Sequence, residues 1–116
     1  MKSLFIAAAA FAIVAIAGPA WAQSSAEKGE KVYADQKCSM CHSIAGKGNA
    51  KGPLDNVGSK LSADELRQWI VDPATMAKKA NATRTPPMSA MAAKYKALPK
   101  EDLDALIAYL QTLKGK

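Results

Sequence analysis

The sequence C-S-M-C-H, at residues 38–42, contains both cysteines and the only histidine of this 116-residue chain. Cysteines three positions apart occur in redox-active dithiols, but those motifs lie beside a β-α-β pattern that this sequence lacks. A structural zinc site usually needs four ligands, and the chain has no second cluster of cysteine or histidine to complete one. A disulfide or thiol-redox pair and a zinc site are therefore the weaker interpretations of this stretch.

The same five residues have the C-x-x-C-H spacing of c-type haem attachment. Two thiols at this spacing can form thioether bonds to two vinyl-derived carbons at one haem edge, and the adjacent histidine can offer its Nε2 atom to the iron. We therefore predict one covalent haem c and its iron, with Cys38 and Cys41 as the attachment points and His42 as an axial ligand.

The N-terminus has the order of a secretory signal: Lys2, an apolar run over Leu4–Ala17, and A-W-A at residues 20–22. The apolar run is shorter than the roughly 20 residues that cross a bilayer, and an uncleaved anchor is the alternative interpretation. We predict a cleaved signal peptide over residues 1–22, no permanent membrane span and a periplasmic location. Residues 23–116 are expected to form one small domain, which often needs a cofactor to be stable.

Helical patterns dominate the predicted domain, and no segment has the alternation typical of a β-strand. Ser24 or Ser25 can cap a first helix, which contains Gly29 at a cost of about 1 kcal/mol relative to alanine. A glycine in that position suggests that another backbone approaches closely. Ser62 and Glu65 have the spacing of a capping box for a later helix. We predict an all-α domain.

The last helix has the clearest pattern. It is expected to start at Pro99, and its apolar residues recur at helical spacing at Leu103, Leu106, Ile107, Leu110 and Leu113. Between the first and the last helix, glycine and proline are dense over residues 43–60, which predicts a long loop. Loops of this length are uncommon in small domains unless they have a function, and enclosing a cofactor would be one.

The motif C-x-x-C-H, together with "GEKVY", "GPLDNVG" and "EDLDALIAYLQTL", resembles the class I c-type cytochromes. The resemblance implies an all-α cytochrome c fold in which the N- and C-terminal helices cross and long loops wrap one covalent haem. It places Gly29 at the helix crossing near Tyr33, with Tyr109 and Leu106 as counterparts on the last helix.

Two further site residues follow from the resemblance. It assigns to the backbone carbonyl of Pro53 the hydrogen bond from the second ring nitrogen of His42, which would orient the ring and raise its basicity. A plain turn proline is the alternative for Pro53. Trp69 is assigned to the cofactor-binding residues.

A low-spin electron carrier needs a sixth iron ligand, and a methionine thioether is the natural donor once the only histidine is used. Met40 lies inside the attachment motif and is too constrained to reach the other haem face, and Met76 falls in a helical stretch as a core residue. Met88 follows two prolines that would hold its backbone, so it is our first choice. Met91 is the alternative, because its distance from the last helix is closer to that of the family.

The function implied is electron transfer by a His/Met-ligated haem c, without enzymatic chemistry on a substrate. The net charge of +6 favours encounter with acidic redox partners. The basic residues are dispersed, which argues against nucleic acid binding, and we expect a monomer. One alternative is a haem c protein with a labile sixth ligand that binds small gases or has peroxidase activity. A second is a dedicated electron-transfer subunit of a periplasmic oxidoreductase.

Overall fold

A computed structural model describes residues 20–115 of the chain. Most of the predicted signal peptide therefore lies outside the described residues. Within this range the chain forms six α-helices: α1 (Ala20–Asp35), α2 (Val57–Lys60), α3 (Ala63–Val71), α4 (Pro73–Ala80), α5 (Ala92–Lys96) and α6 (Lys100–Gln111). Two short 3-10 helices, Cys38–Met40 and Met88–Met91, precede the loop and α5 respectively. The predicted helical class is confirmed, and no helix of the described range is long and apolar enough to cross a membrane.

One small hairpin was not predicted. Strands β1 (Ser43–Ile44) and β2 (Lys47–Gly48) pair antiparallel, with Ser43 opposite Gly48. The two turn residues Ala45 and Gly46 both have positive φ, at 52° and 79°, as a two-residue hairpin turn with right-handed twist requires. Two residues per strand are too few to give a readable alternation, so the prediction of no β-structure was wrong for a local reason.

The first helix begins earlier than predicted. It is already helical at Ala20, the first residue that the structure describes, and it includes Ser24 and Ser25, so neither serine occupies the N-cap position. Residues 20–23 (A-W-A-Q) contain no glycine or proline that would stop a helix.

Helices α1 and α6 pack directly against each other at Gly29. A Cβ added at Gly29 would overlap the carbonyl oxygen of Ala105 and lie 2.6 Å from Cβ of Tyr109. The rings of Tyr33 and Tyr109 meet edge to face, with centroids 5.8 Å apart. The predicted crossing is present, with Ala105 rather than Leu106 as the second counterpart of Gly29.

Helix α3 is stabilised by a capping box at its N-terminus and by an ion pair with α6. The predicted capping box is present: Glu65 N–H donates to Ser62 Oγ at 3.2 Å, and Ser62 N–H donates to Glu65 Oε1 at 3.1 Å. Arg67 pairs with Asp104 of α6 at 2.7 Å. The apolar sides of α1, α3, α5 and α6 form one core, whose buried members are Val32, Leu66, Ile70, Tyr95, Leu106, Ile107 and Leu110.

Candidate haem-binding site

The C-x-x-C-H stretch folds as a tight turn directly after α1. Lys37 adopts a left-handed conformation with φ of 56°, which ends the preceding helix and starts the 3-10 helix Cys38–Met40. The carbonyl of Cys38 accepts hydrogen bonds from the N–H groups of Cys41 (3.1 Å) and His42 (2.9 Å). Both thiols are free and half-buried. The turn therefore holds the two cysteines and the histidine within one turn of backbone.

His42 is oriented by a hydrogen bond from its Nδ1 atom to the carbonyl of Gly52 at 3.0 Å. A carbonyl can only accept, so Nδ1 carries the proton and the lone pair is on Nε2. Burial lowers the pKa of His42, the charge of Arg84 lowers it further, and the bond to Gly52 opposes both effects. A neutral imidazole with a free Nε2 is the form that ligates a metal.

The prediction that Pro53 supplies this carbonyl was wrong by one residue. The N–H of Ser43 donates to Gly52 at 3.0 Å, and the N–H of Leu54 donates back to Ser43 at 2.8 Å. These bonds hold Gly52 beside the residue that follows His42, so it is the Gly52 carbonyl that lies within reach of the ring. Pro53 acts on its neighbour, since a proline biases the preceding residue toward an extended backbone.

The histidine ring faces an apolar cavity. Of the predicted site residues, Cys38, His42, Trp69 and Met88 line it, whereas Cys41, Pro53 and Met91 do not. The sequence did not indicate the other residues of the wall as site residues, although Tyr33, Leu106 and Leu110 were predicted parts of the first and last helices. These other residues are Tyr33, Leu54, Val57, Leu61, Leu66, Ile70, Tyr95, Leu106 and Leu110. The cavity is open on one side, and its volume is about 200 Å³.

Burial controls the titration of the groups around this cavity. It raises the pKa of the Cys38 thiol to about 11, so this thiol is neutral at pH 7. It raises the pKa of Tyr33 to about 12. The Tyr33 hydroxyl is also buried without a hydrogen-bond partner among the described residues.

These features fit a haem. The wall is almost wholly apolar, as a porphyrin requires, and it carries one orphaned hydroxyl that a polar group of the cofactor could satisfy. Two thiols and an imidazole are the donors of c-type attachment. Among residues 20–115, no cluster of three or more His, Cys, Asp or Glu is placed to hold a metal ion.

The two candidate methionines occupy different positions on one short helix. Met88 is half-buried and packs against the core cluster at the cavity wall. Met91 is 39% exposed. Residues three apart in a 3-10 helix lie one above the other at about 2 Å rise per residue, so Met91 is displaced by one turn from Met88. Pro87 has an extended backbone and directly precedes Met88 at the start of this 3-10 helix.

Comparisons with known proteins show the family of this chain. The family model for Cytochrome c matches residues 26–114. Subunit 2 of cytochrome c oxidase from Alkalihalophilus pseudofirmus is 31% identical over 101 residues, which cover 79% of this chain and 27% of that protein. This chain thus spans about a quarter of the relative's length. No solved structure is significantly similar. Since the family match covers most of the chain, including the attachment turn and the crossing of α1 with α6, this chain belongs to the cytochrome c family, which binds haem c and transfers electrons.

Proposed function

We propose that this chain is an exported electron carrier: its signal peptide over residues 1–22 is removed, and residues 23–116 act in the periplasm as one monomeric cytochrome c domain. A bound haem c supplies a one-electron ferrous–ferric couple. The chain holds this group, excludes water from it and sets its potential. The observation that carries the proposal is the apolar cavity that Cys38, His42 and Met88 line together.

Each site residue has one task in this proposal. Cys38 and Cys41 would form the two thioether bonds, and His42 would offer Nε2 to the iron while its Nδ1–H donates to the Gly52 carbonyl. Met88 would supply the thioether ligand to the iron, because it lines the cavity and Met91 does not. Trp69 closes the apolar wall. An apolar, low-dielectric wall disfavours the additional positive charge of the ferric state and so raises the reduction potential.

Exposed basic side chains near the attachment turn support the proposal that the redox partner is an acidic protein. Lys37, Lys47 and Lys51 are exposed on and beside the attachment turn. The charge of Lys94 reaches Cys38 and lowers its pKa against the larger effect of burial. Exposed charges accelerate encounter with a partner of opposite sign, and salt screens them over about 10 Å at 0.1 M. Electron exchange with the partner should therefore slow as salt is added.

The ligand assignment is tested by replacing each methionine with alanine in the haem-loaded protein. Met88→Ala should lose the weak near-infrared absorption band of iron–sulfur coordination, and Met91→Ala should keep it. The opposite pattern would move the ligand to Met91. Acid–acetone extraction tests the attachment, because a covalent haem leaves its colour with the protein. A protein that loses all its colour would contradict the proposal.

A second candidate function, an electron-transfer subunit of a larger oxidoreductase, is favoured by the similarity to an oxidase subunit 2. The native protein distinguishes the two. A carrier runs alone and as a monomer in size-exclusion chromatography of a fresh periplasmic extract, whereas a subunit elutes with its enzyme. Carbon monoxide tests the gas-binding alternative, since a tight Met88 ligand should prevent binding to the reduced protein at neutral pH.

A further inference from the structure

Arg84 lies directly against the residue that orients His42. A Cβ added at Gly52 would overlap Nη1 of Arg84 and lie 2.9 Å from its Cζ atom. The guanidinium thus touches Gly52, whose carbonyl accepts the Nδ1 proton of His42 at 3.0 Å. Arg84 does not line the cavity itself. Arg84 therefore contacts Gly52, the residue that orients His42, and lies outside the cofactor pocket.

The charge of Arg84 has no counter-ion within residues 20–115. No carboxylate in that range pairs with it, whereas the other arginine of the chain, Arg67, pairs with Asp104 at 2.7 Å. The Arg84 side chain is half-buried, so solvent screens it less than a fully exposed lysine. Its field therefore acts on the neighbouring groups without being cancelled by an acidic side chain of the described chain.

A fixed positive charge beside an axial ligand has a defined effect on a redox site. The ferric state carries one more positive charge than the ferrous state, so a nearby cation disfavours oxidation. Hydrogen bonding of a ligand histidine to a carbonyl raises its basicity and tunes the metal. A guanidinium against that carbonyl's residue opposes this gain. The direct field of the guanidinium and the lowered basicity of His42 both stabilise the reduced state.

We propose that Arg84 is a positioning residue that acts through Gly52 and His42 to raise the reduction potential of the haem. The inference rests on the proposed function, because it needs a haem ligated by His42. Reduction adds one electron to the ferric site from a donor protein, and no bond of the chain forms or breaks. Arg84 shifts that equilibrium toward the ferrous state.

The test is the midpoint potential of the haem-loaded protein, measured by optical titration with redox mediators. Arg84→Gln removes the charge, Arg84→Lys keeps it, and Arg67→Gln removes one unit of charge outside the cavity wall as the matched control. At a fixed solution potential we expect Arg84→Gln to raise the ferric-to-ferrous ratio up to about tenfold, equivalent to about 59 mV. Arg84→Lys should retain most of the wild-type potential, and Arg67→Gln should leave the ratio nearly unchanged.

The outcomes separate the inference from the proposed function. If Arg84→Gln and Arg67→Gln have the same potential, Arg84 has no special role, although the protein is still an electron carrier. If Arg84→Gln changes the potential only because the near-infrared band is lost, the residue acts through the methionine ligand and the inference fails. If the wild-type protein holds no covalent haem, the proposed function fails and the inference fails with it.

Discussion

The crossing of α1 and α6 at Gly29 gives the sharpest prediction about folding. In Gly29→Ala the added Cβ would overlap the carbonyl oxygen of Ala105 and lie 2.6 Å from Cβ of Tyr109. Carbon atoms pack best at about 3.5–4.0 Å, so the helices must separate by about 1 Å. A backbone carbonyl cannot rotate away as a flexible side chain can, and the separation therefore extends to the neighbouring core.

The expected cost follows from two opposing effects. Alanine in place of glycine inside a helix contributes about 1 kcal/mol of stability. Overpacking a tight contact costs about 1–3 kcal/mol, and a backbone obstacle places this site at the upper end. We expect a net loss of about 2 kcal/mol in the free energy of unfolding, which lowers Tm by about 8–16 °C in a domain of this size. Gly29→Val should lose more.

The assay is urea unfolding of the haem-loaded protein, followed by far-ultraviolet circular dichroism. Lys31→Ala is the control, because Lys31 is an exposed residue two positions along the same helix and its loss should change stability by less than about 0.5 kcal/mol. If Gly29→Ala is as stable as the wild type, or is more stable because alanine favours the helix, the close packing at Ala105 does not exist in the folded protein.

Three further predictions concern the cap, the histidine support and alkaline pH. Ser62→Ala removes the capping-box bond to Glu65 and should cost about 1 kcal/mol in urea unfolding, whereas a change below about 0.3 kcal/mol would contradict the cap. Gly52→Ala places a Cβ against the carbonyl of Cys41 and should lower the yield of covalent haem, seen as less visible absorbance per protein; an unchanged yield would contradict the tight packing. Because burial raises the pKa of Tyr33 to about 12, above the roughly 10 of an unfolded chain, its contribution to stability is complete below pH 10 and is lost between about pH 10 and 12. Tyr33→Phe should therefore show a smaller fall in urea midpoint between about pH 9 and 11.5, and an equal fall would show that Tyr33 does not titrate as described.

The features that sequence analysis predicted well are those set by short-range rules. The capping box at Ser62 depends only on spacing, and the helix α6 depends on a strong apolar repeat. Gly29 was recognised because a glycine inside a helix is costly and needs a reason. In each case the evidence lies within a few residues of sequence.

The errors arose where the outcome depends on contacts between segments. Which carbonyl accepts from His42 is decided by the pairing of Ser43 with Gly52 and Leu54, and a one-residue shift along the loop exchanges Pro53 for Gly52. Arg84 was missed because it is separated from Gly52 by more than thirty residues and belongs to no motif. No sequence pattern could have indicated that contact, although Gly52 itself lies in the quoted stretch "GPLDNVG".

The long segment after the attachment turn builds part of the candidate site, which explains why so small a domain tolerates it. Between β2 and α3 this segment, which includes the short helix α2, contributes the Gly52 carbonyl to His42 and three apolar residues, Leu54, Val57 and Leu61, to the cavity wall. Loops of this length usually lose more entropy than their contacts return. Here the three apolar side chains pack against the core cluster as well as lining the cavity, so a group that fills the cavity would add to the apolar surface that this segment buries. Because the same side chains would shield that group from water, we expect the order of this segment to increase when the cofactor is attached.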